Sequence, residues 1–124
     1  MAYPSVDTVA FSKPGGEYCV PSRQRPIDLV HLARQTLGDR DLEQEVLSLF
    51  LQQAVSVKDK IVEAEPAQRK FLAHGLKGGA RGVGAFSVAE AAERVEEDPL
   101  DKRKLGRLAS RIDEVREFMA SINR

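Results

Sequence analysis

The sequence predicts an all-α protein: an antiparallel up-down-up-down four-helix bundle with a short extra N-terminal helix and an irregular N-terminal arm. From Ile27 onward apolar residues recur three and four positions apart, the period of helices that bury one face. Proline and glycine fall at the ends of these runs, where helices start and stop. No segment shows the strict alternation of a half-buried strand. Four long helices on short links fit a bundle.

Residues 1–26 make up the arm, with Pro4, Pro14, Pro21, Pro26, Gly15 and Gly16 and no helical repeat. Val6, Val9, Phe11 and Tyr18 are expected to hold it against the remainder. The bundle domain is expected over 27–124. Helix α1 is placed at about 27–37, with Pro26 just before or at its first turn and Gly38 ending it. Its apolar residues lie on two sides, Ile27, Val30 and Leu37 against Leu29 and Leu32. The surplus either meets the arm or joins an apolar docking surface. Helix α2, capped by Asp39 or Asp41, would bury Leu42, Val46, Leu49, Phe50, Ala54, Val57 and Ile61. Helix α3 starts at Pro66 and continues through Leu72, Leu76 and Ala80 to the Gly82-Val83-Gly84 interruption. Helix α4 spans about 85–97. Helix α5 is expected to begin at Asp98-Pro99, a capping side chain before a proline at the first helical position. It would bury Leu105, Leu108, Ile112, Val115, Met119 and Ile122.

Composition narrows the function classes. A chain of 124 residues, 42% hydrophobic and 31% charged, has room for one globular domain. Its 19 basic and 19 acidic side chains cancel, so no global field draws it to nucleic acid or lipid. The basic residues Lys102, Arg103, Lys104, Arg107 and Arg111 are diluted by Asp101, Asp113, Glu114 and Glu117, and nucleic-acid binding is not expected. No apolar run reaches the roughly 18–20 residues that cross a bilayer, and the start lacks a signal peptide's pattern. Neither membrane association nor export is expected. Cys19 is the one cysteine, which excludes an internal disulfide and fits a reducing, cytoplasmic location.

Helix α3 holds the chemistry. With its core face set by Leu72, Leu76, Ala80 and Val83, an advance of about 100° per residue turns His74 outward. Lys70, Lys77, Gly78 and Arg81 share that outer face. Residues 66–83 carry Arg69, Lys70, Lys77 and Arg81 with no acid, whereas 84–98 carry Arg94 against five acids. A basic stripe suits an anion, and cations beside an imidazole favour its neutral form, with a nucleophilic nitrogen. Phosphoryl acceptance needs such a nitrogen, and Lys77, one turn away, can neutralise the transferred group. Gly75, Gly78 and Gly79 each cost about 0.8–1 kcal/mol relative to alanine inside a helix, so something other than helix formation favours them. Gly78 removes the Cβ that would crowd the imidazole, Gly79 allows close helix packing, and Gly75 has no assigned role.

The string Ala73-His74-Gly75-Leu76-Lys77-Gly78-Gly79-Ala80-Arg81-Gly82-Val83-Gly84-Ala85 closely resembles the signature of histidine-containing phosphotransfer (HPt) domains. In that signature the histidine is followed by lysine at plus three and glycine at plus four and plus ten. The resemblance extends to the helix order over 27–124. It implies phosphorylation of His74 on Nε2, with Lys77 as the phosphate partner and Gly78 as the clearance residue. Lys70 and Arg81 are secondary candidates from helix geometry. The family often places a polar residue late in the next helix that steadies the imidazole, and by spacing Glu96 stands there. It would either fix a tautomer or be a solvated charge.

The resemblance further implies response-regulator receiver domains or a hybrid histidine kinase as partners, met through an apolar centre with a charged rim. It implies a phosphorelay carrier without kinase activity of its own. A second function class is a non-catalytic module that docks and inhibits a receiver or histidine kinase without being phosphorylated. No cofactor and no metal site are expected, because His31 and His74 are the only histidines and α3 has no carboxylate or thiolate. The glycines lack the G-x-x-x-x-G-K-[ST] order of a nucleotide loop. His31 is expected to be a packing or surface residue, and the protein a monomer.

Overall fold

A computed structural model describes residues 25–122. It contains five helices among them: α1 Leu29–Gln35, α2 Arg40–Ile61, α3 Pro66–Val83, α4 Phe86–Glu97 and α5 Lys102–Ile122. No strand occurs among the described residues. The four long helices close a ring of contacts, α2 with α3, α3 with α4, α4 with α5 and α5 with α2, while α1 packs on α3. The contacts expected of Val6, Val9, Phe11 and Tyr18 lie outside the described residues.

Helix α1 is shorter than expected because Asp28 caps it. The Asp28 carboxylate accepts from the N–H groups of Val30 and His31, each at 3.1 Å, so Pro26 precedes the helix without entering its first turn. Ile27, ahead of the cap, is fully buried together with Leu32, whereas Val30 and Leu37 are exposed. The chain leaves α1 through two left-handed residues, Leu37 (φ 55°) and Gly38 (φ 77°).

Asp39, not Asp41, caps α2 by accepting from the N–H of Leu42 at 3.0 Å. The buried stripe of α2 is Leu47, Phe50, Ala54, Val57 and Ile61. Leu42 and Leu49, expected in the core, are exposed. This helix carries apolar residues on more than one flank. Contact with both α3 and α5 selects the stripe through Leu47 in preference to the adjacent one through Leu49. A 2.6 Å ion pair between Lys58 and Asp113 ties α2 to α5.

Pro66 opens α3 as expected. The carbonyls left open where α2 ends are met by Arg69: Nε donates to Ile61 O at 3.0 Å and Nη2 to Val62 O at 2.8 Å. Its Nη1 reaches Pro99 O at 2.9 Å, so one guanidinium joins two interhelical links. The core residues of α3 are Ala73, Leu76, Ala80 and Val83, with Leu72 only half-buried. Small residues here let neighbouring helices approach: a Cβ on Gly79 would lie 2.6 Å from the Gln53 Oε1 of α2. Gly84 ends α3 in the left-handed region (φ 85°), donating to Ala80 O and Arg81 O, as a C-terminal glycine does. A Cβ there would lie 2.8 Å from the backbone oxygen of Asp28. The Asp28 N–H donates to Gly84 O at 2.9 Å, so this glycine fastens α1 to the end of α3.

Helix α5 begins later than the Asp98-Pro99 pair suggests. The Asp98 N–H bonds back to Arg94 O and Val95 O, ending α4, and the Asp101 carboxylate accepts from the Arg103 N–H at 2.9 Å. Asp101 is therefore the capping residue. Leu105, Leu108, Ile112, Val115 and Met119 are buried as expected, while Ile122, expected in the core, is exposed at the last turn of the helix. No helix among the described residues is long and apolar enough to cross a membrane.

Candidate functional site

Close packing of α3 on α4 brings Glu96 to His74 and Lys77, which lie 22 and 19 residues before it in the sequence. His74 stands on the outer face of α3 with its side chain 69% exposed. Its Nδ1 lies 2.8 Å from Oε2 of Glu96 on α4. The other oxygen of that carboxylate, Oε1, accepts from Lys77 Nζ at 2.7 Å. Residues three apart on a helix share a face, so His74 and Lys77 each meet one oxygen of a single carboxylate across the α3–α4 seam.

The electrostatics follow from this bridge. Hydrogen bonding from Lys77, and secondly from His74, holds the Glu96 carboxyl below its ordinary range, against a smaller opposing effect of burial. An ionised carboxylate only accepts, so Nδ1 is the donor. In the neutral imidazole Nε2 is then the ring nitrogen with a lone pair, on a ring open to solvent. Lys77 is only 16% exposed along its side chain, held by Glu96 one turn from the imidazole.

The basic stripe expected around His74 is largely engaged. Arg69 binds backbone carbonyls and Lys77 binds Glu96. Arg81 Nη2 lies 3.6 Å from Glu93 Oε1 on α4. Lys70 is exposed on the same helix. The opposite net charges of α3 and α4 therefore pair across their seam, and the charged group in contact with the imidazole is an acid. Helix periodicity places cations within one helix, but it says nothing of which neighbour faces them.

Above Gly78 the surface is open, since a Cβ there would meet nothing within 4 Å. Gly75 borders a groove of about 280 Å³ between α2 and α3, beside His74 and lined also by Gln53, Val57, Phe71 and Leu72. Phe71 is 75% exposed, a large apolar side chain one turn before the histidine. The available sequence signal was an aromatic residue off the core face of α3. His31 lies elsewhere, its ring edge-on to Phe86 with centroids 5.2 Å apart.

Among known families, the model for the Hpt domain matches residues 45–118, which include His74, Lys77, Gly78, Arg81 and Glu96. Comparison with curated proteins and with solved structures gives no match.

Proposed function

The chain belongs to the Hpt domain family, which implies a phosphotransfer role in two-component signalling, and on that premise we propose that His74 is its phosphoryl carrier. The bundle domain runs from residue 27 after the arm, its four long helices in up-down-up-down order, and it acts as a cytoplasmic monomer. The donor is the phosphorylated aspartate of a response-regulator receiver, and a second receiver is the acceptor.

The Nε2 lone pair of neutral His74 attacks phosphorus in line. As the N–P bond forms, the P–O bond to the aspartyl carboxylate breaks, and that carboxylate leaves with the electron pair. The proton stays on Nδ1, where Glu96 holds it and offsets the positive charge that develops on the ring. Lys77, already one turn away, shifts from Glu96 toward the phosphoryl oxygens and neutralises them. Gly78 leaves clearance for the incoming group, and Arg81 and Lys70 add positive charge at the rim. Transfer to the next receiver is the same displacement in reverse. Phe71 and the groove beside it supply the apolar centre of the contact with the receiver.

The observation that supports this reading most is the 2.8 Å contact of Nδ1 with Glu96, because it leaves Nε2 as the nucleophile on an exposed ring. Incubation with a ³²P-phosphorylated receiver tests it. Acid-labile, alkali-stable label should appear on the protein and be absent from a folded His74→Gln variant. Label retained by that variant, or stoichiometric binding with the label remaining on the receiver and none on this protein, would overturn the reading.

A further inference from the structure

The first turns of α5 oppose the electrostatics of their own helix. Residues 102–111 contain Lys102, Arg103, Lys104, Arg107 and Arg111 and no acid. The first turn likewise has no acidic residue, although the N-terminal end of a helix is its positive end and favours carboxylates. The Asp101 cap meets that end, and helix formation gives no reason for the five cations that follow it.

Three of these cations converge on one place. Arg103, Lys104 and Arg107 line a cleft of about 460 Å³ between α4 and α5, with Arg94 on the α4 wall. That volume is within the roughly 300–1,000 Å³ of small-molecule sites. Two carboxylates, Glu97 and Asp101, line it as well, and their hold on the cations is loose. Arg94 is 3.4 Å from Glu97, Lys104 is 3.6 Å from Asp98, and Asp101 is committed to the Arg103 backbone N–H. By contrast, Lys77 on α3 has a partner at 2.7 Å. The cleft is thus lined by four cations and two acids, with Asp98 a third acid beside Lys104, and Arg94, Arg103 and Arg107 are exposed.

We propose that this cleft binds a small polyanion bearing two linked phosphate groups. Guanidinium groups fit phosphate oxygens two at a time, and cations on both walls can engage more than one phosphate at once. The acids at the rim, Glu97, Asp98 and Asp101, would repel an extended nucleic-acid backbone but leave room for a compact diphosphate. Arg94 stands two residues before Glu96, about 200° around α4. The cleft is therefore on a different flank from His74 and does not rest on the phosphotransfer reading.

The test is an amide NMR titration of the full chain at fixed ionic strength with inorganic pyrophosphate, with ADP and with inorganic phosphate. Pyrophosphate should give saturable shifts at Ala91, Arg103 and Arg107. The Arg103→Ala/Arg107→Ala double variant, with both changes at exposed helical positions, should weaken binding at least tenfold. Arg116→Ala and His74→Gln should leave it unchanged. ADP binding more tightly than pyrophosphate assigns the ligand to the nucleoside diphosphates, and equal affinity assigns recognition to the diphosphate alone. Non-saturating shifts, equal weakening in Arg116→Ala, undiminished binding by the double variant, or inorganic phosphate binding as tightly as pyrophosphate would overturn the proposal.

Discussion

Replacing Glu96 by glutamine tests the carboxylate bridge with little change in shape. The wild-type carboxylate accepts from Nδ1 at 2.8 Å and from Lys77 at 2.7 Å. Hydrogen bonds to charged groups contribute about 1.5–3 kcal/mol and neutral ones about 0.5–1.5 kcal/mol, so losing the charge forfeits about 1 kcal/mol. The imidazole is 69% exposed, and solvent screening reduces this to about 0.5–1 kcal/mol. If that contribution acts in the transition state, transfer slows by about 2- to 5-fold. A glutamine can also rotate its NH₂ toward Nδ1, which favours the tautomer with the proton on Nε2 and adds to the loss. Single-turnover transfer from a phosphorylated receiver measures the rate, and ¹⁵N spectra of the imidazole report the tautomer. An unchanged rate with the Nδ1–H tautomer intact would refute the reasoning. A faster rate would mean that Glu96 chiefly keeps Lys77 away from the phosphoryl group.

Three further outcomes are expected. Gly84→Ala places a Cβ 2.8 Å from Asp28 O at a φ of 85°, and with about 1–2 kcal/mol for the left-handed backbone alone the total loss should be about 2–4 kcal/mol; chemical denaturation within 0.5 kcal/mol of wild type, on the order of the ordinary surface range, would contradict the α1 attachment. Gly78→Ala should raise helix stability by about 0.8–1 kcal/mol while slowing transfer on the order of tenfold, since correct approach is costly to disturb; unimpaired transfer would remove the clearance role. The pH dependence follows from the depressed Glu96 carboxyl: its pKa is lower folded than unfolded, so its stabilisation is present above the ordinary carboxylate value and is lost as pH falls through the depressed one. The stability gap between wild type and Glu96→Gln should therefore close on acidification, and a gap unchanged in strong acid would sink the assignment.

Much of this was legible in residue spacing. Pro66, Gly84 and the α5 stripe from Leu105 to Met119 declare themselves because each acts within its own helix. His74 is outward for the same reason, its direction following from the period of α3. What spacing missed depends on neighbours. Leu47 and Leu49 are both apolar on α2, and only contact with α3 and α5 decides which is buried. Arg69 counted as one more cation of a basic helix until the carbonyls of Ile61, Val62 and Pro99 came into its reach. Asp98-Pro99 and Asp101 are both plausible openings of α5 in sequence, and the backbone bonds of Asp98 to α4 select the later one. Glu96 reached the site through family resemblance. The sequence alone could not show that one carboxylate serves both the histidine and the lysine.

The most direct measurement is the ¹⁵N NMR spectrum of histidine-labelled protein before and after exposure to a phosphorylated receiver. His74 should begin with its proton on Nδ1 and end with phosphorus bonded to Nε2, while His31 remains unchanged. Phosphorus on His31, on Nδ1 of His74, or on neither ring would contradict the account.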